Sequence, residues 1–303
     1  MPSRRHEFLA YALPRLRKSR DLDDVETERR RLERWHASLD RSLPLAATPG
    51  WRRRWSISQE NWQVPGGPEF PAYVFAPRRS AATRTLFYVH GGGFVAPIDP
   101  FHVRYASRLA HALGARIVLP DYPLTPEHTW RDSFDALVEA AARWAALPGG
   151  IVLAGDSAGG GLALAVAIAL RDRGLPQPTH LLLHAPWVDL TTSTPETDAM
   201  DAIDPWLFIG KLRAYAGWWS GADPSRPEVS PALAGLAGLP PALMFYGTRD
   251  LLSPGCRLLA TRARESGWPL EVVEEPDLLH VYGILPTLPE ARRARVRTLE
   301  FLR

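Results

Sequence analysis

The chain has 303 residues, of which 46% are hydrophobic, and its formal net charge is +3. This composition is typical of a soluble globular protein, and the length allows one large α/β domain with insertions or two smaller domains. No stretch approaches the roughly twenty consecutive apolar residues of a membrane-spanning helix, and the apolar run 8–13 is too short for a signal peptide. Cys256 is the only cysteine, which excludes an intramolecular disulfide, and we expect a cytoplasmic protein.

The basic isoelectric point, about 9.2, does not by itself indicate a protein that binds nucleic acid. Over residues 21–34 the arginines alternate with acidic residues, as expected for a solvated helix face with ion pairs between successive turns. No nucleic-acid-binding motif accompanies the charge. We therefore predict no nucleic-acid partner and no stable insertion into a membrane.

Hydrophobic periodicity predicts an α/β protein. Apolar residues recur at helical intervals from Arg5 to about Ala46, with breaks predicted at Pro14 and Asp21. The later periodic segments fall into two groups. The predicted strands are 55–58, 70–75, 85–90, 116–120, 151–154, 179–184, 242–246 and 270–274, and the predicted helices are 130–146, 158–172, 256–266 and 290–302. The first two strands read as an antiparallel pair, and the alternation that follows predicts βαβ units with a mostly parallel sheet.

The alternation is interrupted between Thr191 and Arg226 by an aromatic-rich segment. We interpret this segment as an insertion that caps the sheet. Residues 1–50 are then an N-terminal helical cap segment, and residues 51–303 are a catalytic α/β domain with the cap insertion at about 191–226.

A glycine-flanked serine follows the predicted strand 151–154. The run 155–159 has the G-x-S-x-G pattern of a nucleophile elbow, in which a serine occupies a sharp turn between a strand and a helix. The turn is strained, so the residues two positions before and after the serine must lack bulk. Ser157 is the candidate nucleophile, and the helix after it aims its free N–H groups and positive dipole end at the same point.

A serine hydroxyl needs a base, and the base needs an acid that orients it. Functional residues of a parallel sheet gather at the carboxyl ends of its strands, and both Asp250 and His280 follow predicted strands. The chain order Ser157, Asp250, His280 is the order found in α/β-hydrolases. Asp277 is an alternative acid, and His184, which also ends a strand, is an alternative base.

Three glycines follow the predicted strand 85–90. In the run 90–94, His-Gly-Gly-Gly-Phe, these glycines let the backbone turn its N–H groups into a pocket without obstruction by side chains. The oxyanion of a tetrahedral intermediate needs such donors. A glycine loop at this place, ahead of a nucleophile elbow, is typical of lipases and esterases.

Together these motifs resemble those of the hormone-sensitive-lipase-like family of α/β-hydrolases, also called the HGGG esterases. The run 90–94 matches the family's oxyanion loop, and 155–160 matches its elbow. Residues 121–128 resemble its Asp-Tyr-Arg-Leu-Ala-Pro-Glu-His signature, with Pro123 and Thr125 as departures. The resemblance implies an α/β-hydrolase fold, with a mostly parallel central sheet flanked by helices and a helical cap.

The resemblance also implies roles for individual residues. It makes Ser157 the nucleophile, Asp250 the acid and His280 the base. The oxyanion hole would be formed by the backbone N–H groups of three residues, Gly92, Gly93 and Ala158. Four aromatic side chains are expected to line the substrate pocket: Phe94, Trp187, Trp206 and Tyr282.

The activity predicted from these features is that of a serine carboxylesterase that hydrolyses short- to medium-chain carboxylic esters through an acyl-serine intermediate. The same triad would serve an amidase or an N- or O-deacetylase, and a non-catalytic ligand receptor on the same fold is a third reading. We expect a small apolar ester as the binding partner, with no cofactor and no metal site. The sequence allows a homodimer.

Overall fold

The computed structural model describes residues 1–17 and 21–303. Its strands are β1 (Trp55–Gln63), β2 (Glu69–Pro77), β3 (Thr85–Val89), β4 (Arg116–Pro120), β5 (Ile151–Asp156), β6 (His180–His184), β7 (Ala242–Arg249) and β8 (Leu270–Leu279). Its α-helices are α1 (Arg4–Arg17), α2 (Val25–Ser38), α3 (Trp51–Arg54), α4 (Pro100–Leu113), α5 (Phe134–Ala145), α6 (Ser157–Asp172), α7 (Thr197–Met200), α8 (Ile209–Ser220), α9 (Ser253–Ser266) and α10 (Pro289–Phe301).

In the described part of the chain, the eight strands form one sheet in the order β1-β2-β4-β3-β5-β6-β7-β8. The pairs β1–β2 and β2–β4 are antiparallel, and every pair from β4 through β8 is parallel. The central strands β3 and β5 are apolar and fully buried, as expected where helices cover both faces. The predicted mostly parallel sheet flanked by helices is confirmed.

The N-terminal stretch forms α1 and α2, which agrees with the predicted helical periodicity of 5–46 as far as Ser38, where α2 ends. The prediction of a break at Pro14 was wrong, because Pro14 lies inside the last turn of α1. A proline at this position removes one backbone hydrogen bond of the helix, but the helix continues past it to Arg17. The remaining predicted helical positions 18–20 lie outside the described residues.

Two elements differ from the sequence-based prediction in ways that affect the site. Helix α4 joins β3 to β4 and was not predicted; its start is capped by the carboxylate of Asp99, which accepts hydrogen bonds from the N–H groups of Phe101 and His102. Strand β8 continues to Leu279 instead of ending at Glu274. His280 therefore follows the strand directly, without the short loop that the sequence suggested.

Helix α6 starts where β5 ends and crosses β3 at very close range. Gly159, in its first turn, has no space for a side chain, because an added Cβ atom would overlap the carbonyl oxygens of Val89 and His90. These are main-chain atoms of β3 and the glycine loop, and they are held by the sheet. The missing side chain at this position is therefore what lets the helix approach the strand.

We expect the Gly159→Ala substitution to lower the free energy of unfolding by about 3 kcal/mol, the upper range for overpacking of a core. Gly217→Ala in α8 is the matched control, since a Cβ there meets nothing within 4 Å, and alanine in a helix interior should stabilise by about 0.5–1 kcal/mol. Denaturant unfolding of both variants tests this. Equal midpoints for Gly159→Ala and the wild type would contradict the packing described here.

Candidate active site

The serine of the elbow sits in strained backbone at the junction of β5 and α6. Ser157 has φ +52°, in the left-handed region that side chains other than glycine rarely adopt. Gly155, two residues earlier, has no room for a Cβ atom, which would overlap the backbone of Gly159. The strain therefore occurs where the sequence pattern predicts a nucleophile elbow.

The side chains of Ser157, His280 and Asp250 form one chain of hydrogen bonds. The distance from Ser157 Oγ to His280 Nε2 is 2.9 Å, and the distance from His280 Nδ1 to Asp250 Oδ2 is also 2.9 Å. All three residues are buried. The arrangement presents a hydroxyl to a base whose other nitrogen is held by a carboxylate, which is the geometry of nucleophilic catalysis by serine.

The sheet brings these residues together. Asp250 follows β7 and His280 follows β8, and because the two strands are parallel neighbours, their carboxyl ends meet at the same edge of the sheet. The second oxygen of the Asp250 carboxylate accepts a hydrogen bond of 2.9 Å from the N–H of Leu252. The carboxylate is thus oriented on both sides.

The two alternative residues lie elsewhere. Asp277 is exposed near the end of β8, where its N–H donates to the Thr248 hydroxyl. His184 is buried at the end of β6, with its Nε2 2.6 Å from the hydroxyl of Tyr105. Neither is a partner of Ser157 or His280 in the hydrogen bonds described above.

The pKa of His280 is raised above its ordinary value of 6.5. Burial is the largest single effect and acts to lower it, but the charge and hydrogen bond of Asp250, together with the negative charges of Asp204 and Asp156, outweigh burial. The environment therefore stabilises the imidazolium form of His280, as is required of a base that takes a proton from a serine hydroxyl.

Asp156, next to Ser157, holds the glycine loop. Its Oδ1 accepts hydrogen bonds from the hydroxyl of Tyr88 at 2.6 Å and from the N–H of Gly91 at 3.1 Å. A Cβ atom on Gly91 would overlap this carboxylate. No sequence motif predicts this contact, because the loop and the elbow are far apart in the chain.

Helix α4 adds a buried histidine to the same network. The Nε2 atom of His102 lies 3.4 Å from Asp156 Oδ2. Burial alone would lower the pKa of His102, but the carboxylates of Asp156 and Asp99 raise it to about 9. In turn the charge and hydrogen bond of His102 overcome the burial effect on Asp156 and lower its pKa to about 2. No sequence signal pointed to His102, because α4 was not predicted.

The residues predicted for the oxyanion hole lie beside the serine. Gly92 and Gly93 have φ +108° and +63°, and both line the same cavity as Ser157 and His280. Ala158 is the second residue of α6 and is fully buried. Since the free N–H groups of a helix lie in its first turn, α6 starts with its positive end at the serine.

A cavity of about 380 Å³ contains Ser157 and His280 in its wall. Part of the remaining wall comes from Leu32 and Trp35 of α2 and from the stretch 206–215 of the insertion, and the rest comes from the stretches 92–102 and 281–285. Most of these side chains are apolar or aromatic, which suits an apolar ligand with a small polar reacting group.

Among the four aromatic residues predicted to line the pocket, Trp206 lies in the cavity wall. The structure corrects the expectation for the other three, which are packed in the core away from this wall. Phe94 stacks on Trp219 with ring centroids 4.3 Å apart and also contacts Trp187 at 5.6 Å. Tyr282 is 1% exposed, in the turn after His280. Large aromatic rings gain most by full burial, so a position next to a catalytic motif does not by itself place them in a pocket.

The signature 121–128 anchors the N-terminal cap segment. Asp121 is buried and binds the guanidinium of Arg41 at 2.9 Å, and Glu127 Oε2 is 2.7 Å from His36 Nδ1. The N-terminal segment also contacts the end of β8, since His6 in α1 accepts a hydrogen bond of 2.9 Å from the N–H of Leu279.

Within residues 1–17 and 21–303, no group of three or more His, Cys, Asp or Glu side chains could hold a metal ion. Over the same residues, no helix is long and apolar enough to cross a membrane.

Known proteins share this fold and much of the sequence. Residues 86–284 match the family model described as the alpha/beta hydrolase fold. The chain is 38% identical over 229 residues to an acetyl-hydrolase of Streptomyces hygroscopicus, covering 73% of this chain and 75% of that protein. It is 30% identical over 229 residues to an esterase of Acinetobacter venetianus, covering 74% of this chain and 76% of the esterase.

Two solved structures are similar over almost their full lengths. An esterase of the bacterial hormone-sensitive lipase family has a TM-score of 0.78 and 30% identity, covering 100% of this chain and 99% of that chain. A hyperthermophilic esterase of Pyrobaculum calidifontis has a TM-score of 0.79 and 28% identity, covering 100% and 98%. The chain belongs to the α/β-hydrolase family, among its hormone-sensitive-lipase-like carboxylic ester hydrolases.

We expect Asp250→Asn to lower kcat about 10⁴-fold, because the amide no longer holds the imidazole in the tautomer that accepts the serine proton. Asp277→Asn is the matched control: this exposed carboxylate should be replaced without loss of kcat. Steady-state kinetics on p-nitrophenyl acetate measure both. If the control loses activity and Asp250→Asn retains it, the acid is misassigned.

For the wild type, kcat/KM should increase with pH through a single ionisation above pH 6.5, since Nε2 of His280 has to be unprotonated to accept a proton. A raised pKa keeps the imidazolium to higher pH, so activity is lost as the pH falls through that raised value. A pH profile measured between pH 5 and about 9 tests this. A midpoint at or below 6.5 would contradict the charge arrangement around His280.

Proposed function

We propose that this protein hydrolyses carboxylic esters with short to medium acyl chains through an acyl-serine intermediate. The observation that carries the proposal is the unbroken chain of hydrogen bonds from Ser157 through His280 to Asp250, at one wall of an apolar cavity. Such a chain has no use in a ligand receptor, which argues against the non-catalytic alternative.

In the proposed first half-reaction, Ser157 Oγ attacks the carbonyl carbon of the ester while its proton passes to His280 Nε2. The negative oxygen of the tetrahedral intermediate accepts hydrogen bonds from the N–H groups of Gly92, Gly93 and Ala158. The intermediate collapses as the bond to the alcohol breaks, and the alcohol leaves with the proton from His280. The acyl group is then an ester of Ser157.

In the second half-reaction, water attacks the acyl carbon and gives a proton to His280. The new tetrahedral intermediate expels Ser157 Oγ, which takes the proton back, and the carboxylic acid leaves. Asp250 stays ionised throughout and holds the imidazole in place. One ester and one water thus become one acid and one alcohol.

The size and lining of the cavity support the proposed acyl range. A volume of about 380 Å³ is at the lower end of small-molecule sites, and its walls are mainly apolar. A long acyl chain would have to leave the cavity and expose its methylenes to water, and each buried CH₂ is worth about 0.8 kcal/mol.

Deacetylation is the second candidate function. It is favoured by the 38% identity with the acetyl-hydrolase of Streptomyces hygroscopicus. An acetyl group is at the short end of the proposed acyl range, and its leaving group could be an alcohol or an amine. Matched acetate esters and acetanilides separate an O-deacetylase from an amidase or N-deacetylase.

The test is a series of p-nitrophenyl esters from acetyl through butyryl and octanoyl to palmitoyl, with wild type, Ser157→Ala and Ser133→Ala. We expect activity to peak among the shorter esters and Ser157→Ala to lose at least about 10⁴-fold. Ser133 is equally buried at the start of α5, outside the cavity wall, and its variant should remain active.

A mechanism-based phosphonate should add its mass to Ser157 alone. Loss of less than tenfold in Ser157→Ala, or labelling at another residue, would exclude the acyl-serine route. A homodimer and a cytoplasmic location remain predictions from the sequence, which light scattering and cell fractionation test.

A further inference from the structure

A buried carboxylate in the cap insertion lies beside the triad, and none of the sequence motifs includes it. Asp204 is in the turn between α7 and α8 and is 7% exposed. It belongs to the segment 191–226, whereas the triad residues lie directly after the strands β5, β7 and β8. The side chain nevertheless reaches the loop that carries Asp250.

The two oxygens of the Asp204 carboxylate bind two different parts of the chain. Oδ2 accepts a hydrogen bond of 2.7 Å from the N–H of Leu251, the residue after Asp250. Oδ1 accepts hydrogen bonds from the N–H groups of Trp206 at 2.6 Å and Leu207 at 3.0 Å. One side chain therefore fixes both the acid loop and the turn that follows Asp204.

That turn forms part of the active site. Trp206 and Leu207 both line the cavity that contains Ser157. The indole of Trp206 meets the imidazole of His280 at a ring-centroid distance of 5.7 Å and an interplanar angle of 85°, an edge-to-face contact. The carboxylate thus holds the backbone of a residue in contact with the base, and the backbone next to the acid.

We propose that Asp204 is a positioning residue of the hydrolytic reaction, which couples the cap insertion to the acid and the base of the triad. The inference rests on the proposed function, because it assigns Asp204 an effect on the proton transfer between Ser157 and His280. It gives the insertion a part in turnover as well as in forming the pocket.

Burial and a neighbouring negative charge make an ionised carboxylate unfavourable at position 204. Its presence there argues for a role beyond connecting two loops. Burial and the negative charge of Asp250 raise the pKa of Asp204 to about 6, while His280 and the N–H groups of Leu207 and Leu251 act to lower it. The guanidinium of Arg249 also lies on this side, with its Nε 3.4 Å from the carbonyl oxygen of Ile203.

An asparagine at position 204 would not reproduce these bonds. All three N–H groups around Asp204 are donors, and an amide has one acceptor oxygen and one donor nitrogen. The nitrogen would face either Leu251 or the Trp206 turn. The substitution would also remove a negative charge that raises the pKa of His280.

The experiment compares Asp204→Asn and Asp204→Glu with Asp201→Asn in the full chain. Asp201 is the matched control, since its Oδ1 accepts a hydrogen bond of 2.7 Å from Ile209 N at the start of α8, within the same insertion. Thermal unfolding confirms that each variant is folded, and kcat, KM and the pH profile of kcat/KM are measured on p-nitrophenyl butyrate.

We expect Asp204→Asn to lower kcat about tenfold, equivalent to the loss of one hydrogen bond to a charged group. The acidic limb of its kcat/KM profile should also move to lower pH, because the imidazolium of His280 has lost a nearby negative charge. Asp204→Glu keeps the charge and displaces the carboxylate, so its limb should stay in place while kcat falls. Asp201→Asn should match the wild type in both respects.

The inference is overturned if Asp204→Asn matches Asp201→Asn in kcat and in the acidic limb. It is also overturned if the acidic limb of Asp204→Asn is unchanged and its loss of kcat is no larger than the fraction of the variant that is unfolded. Should Asp204→Asn fail to fold, wild-type kcat in Asp204→Glu overturns it. A wild type without esterase activity, or one as active as Ser157→Ala, refutes the proposed function instead, so the two failures are distinguishable.

Discussion

The hydrogen bond between Ser157 Oγ and His280 Nε2 sets the tightest constraint on this structure. Its partners come from the ends of β5 and β8, which are separated in the sheet by β6 and β7. A side chain that has to meet another within 3 Å tolerates little error in strand register, and a slip of one residue would turn each side chain to the opposite face. The four strands from β5 to β8 must therefore hold a fixed register for Ser157 and His280 to stay within hydrogen-bonding distance.

Main-chain packing supplies much of that rigidity around the serine. Gly91, Gly155 and Gly159 each occupy a position where a Cβ would overlap backbone or a carboxylate, so the glycine loop, β5 and α6 are in direct contact. The carboxylate of Asp156 then ties the loop to the elbow through the N–H of Gly91. Because the proposed oxyanion donors belong to this loop and to α6, their separation from the serine is fixed before a substrate arrives, as electrostatic preorganisation requires.

The residues that sequence could predict are those that carry a local pattern. Ser157 has glycines at fixed offsets, and Asp250 and His280 follow strands whose apolar runs are easy to recognise. The structure brings these three together within hydrogen-bonding distance. Asp204 and His102 had no such pattern, because each acts through partners that are distant in sequence and are brought near only by the fold.

The aromatic residues show the same limit of sequence-based prediction, because three of them were predicted to line the pocket and do not. Phe94 adjoins a recognisable motif, yet it is buried between Trp187 and Trp219 and does not line the cavity. The direction in which a side chain points is decided by the φ of its own residue, which is +62° for Phe94, and by which neighbours offer a complementary surface. Neither is visible in a sequence motif.

The contacts around the triad also bear on how substrate selection and turnover are related. Cap segments hold the residues next to the acid and the base: His6 of α1 binds the N–H of Leu279, and Asp204 binds that of Leu251. The same carboxylate fixes Trp206 and Leu207 in the cavity wall. A substrate that displaces this wall should therefore also displace the loop that carries Asp250. A poorly fitting acyl group should therefore lower kcat as well as raise KM, because the displaced wall also moves the groups proposed to transfer the proton.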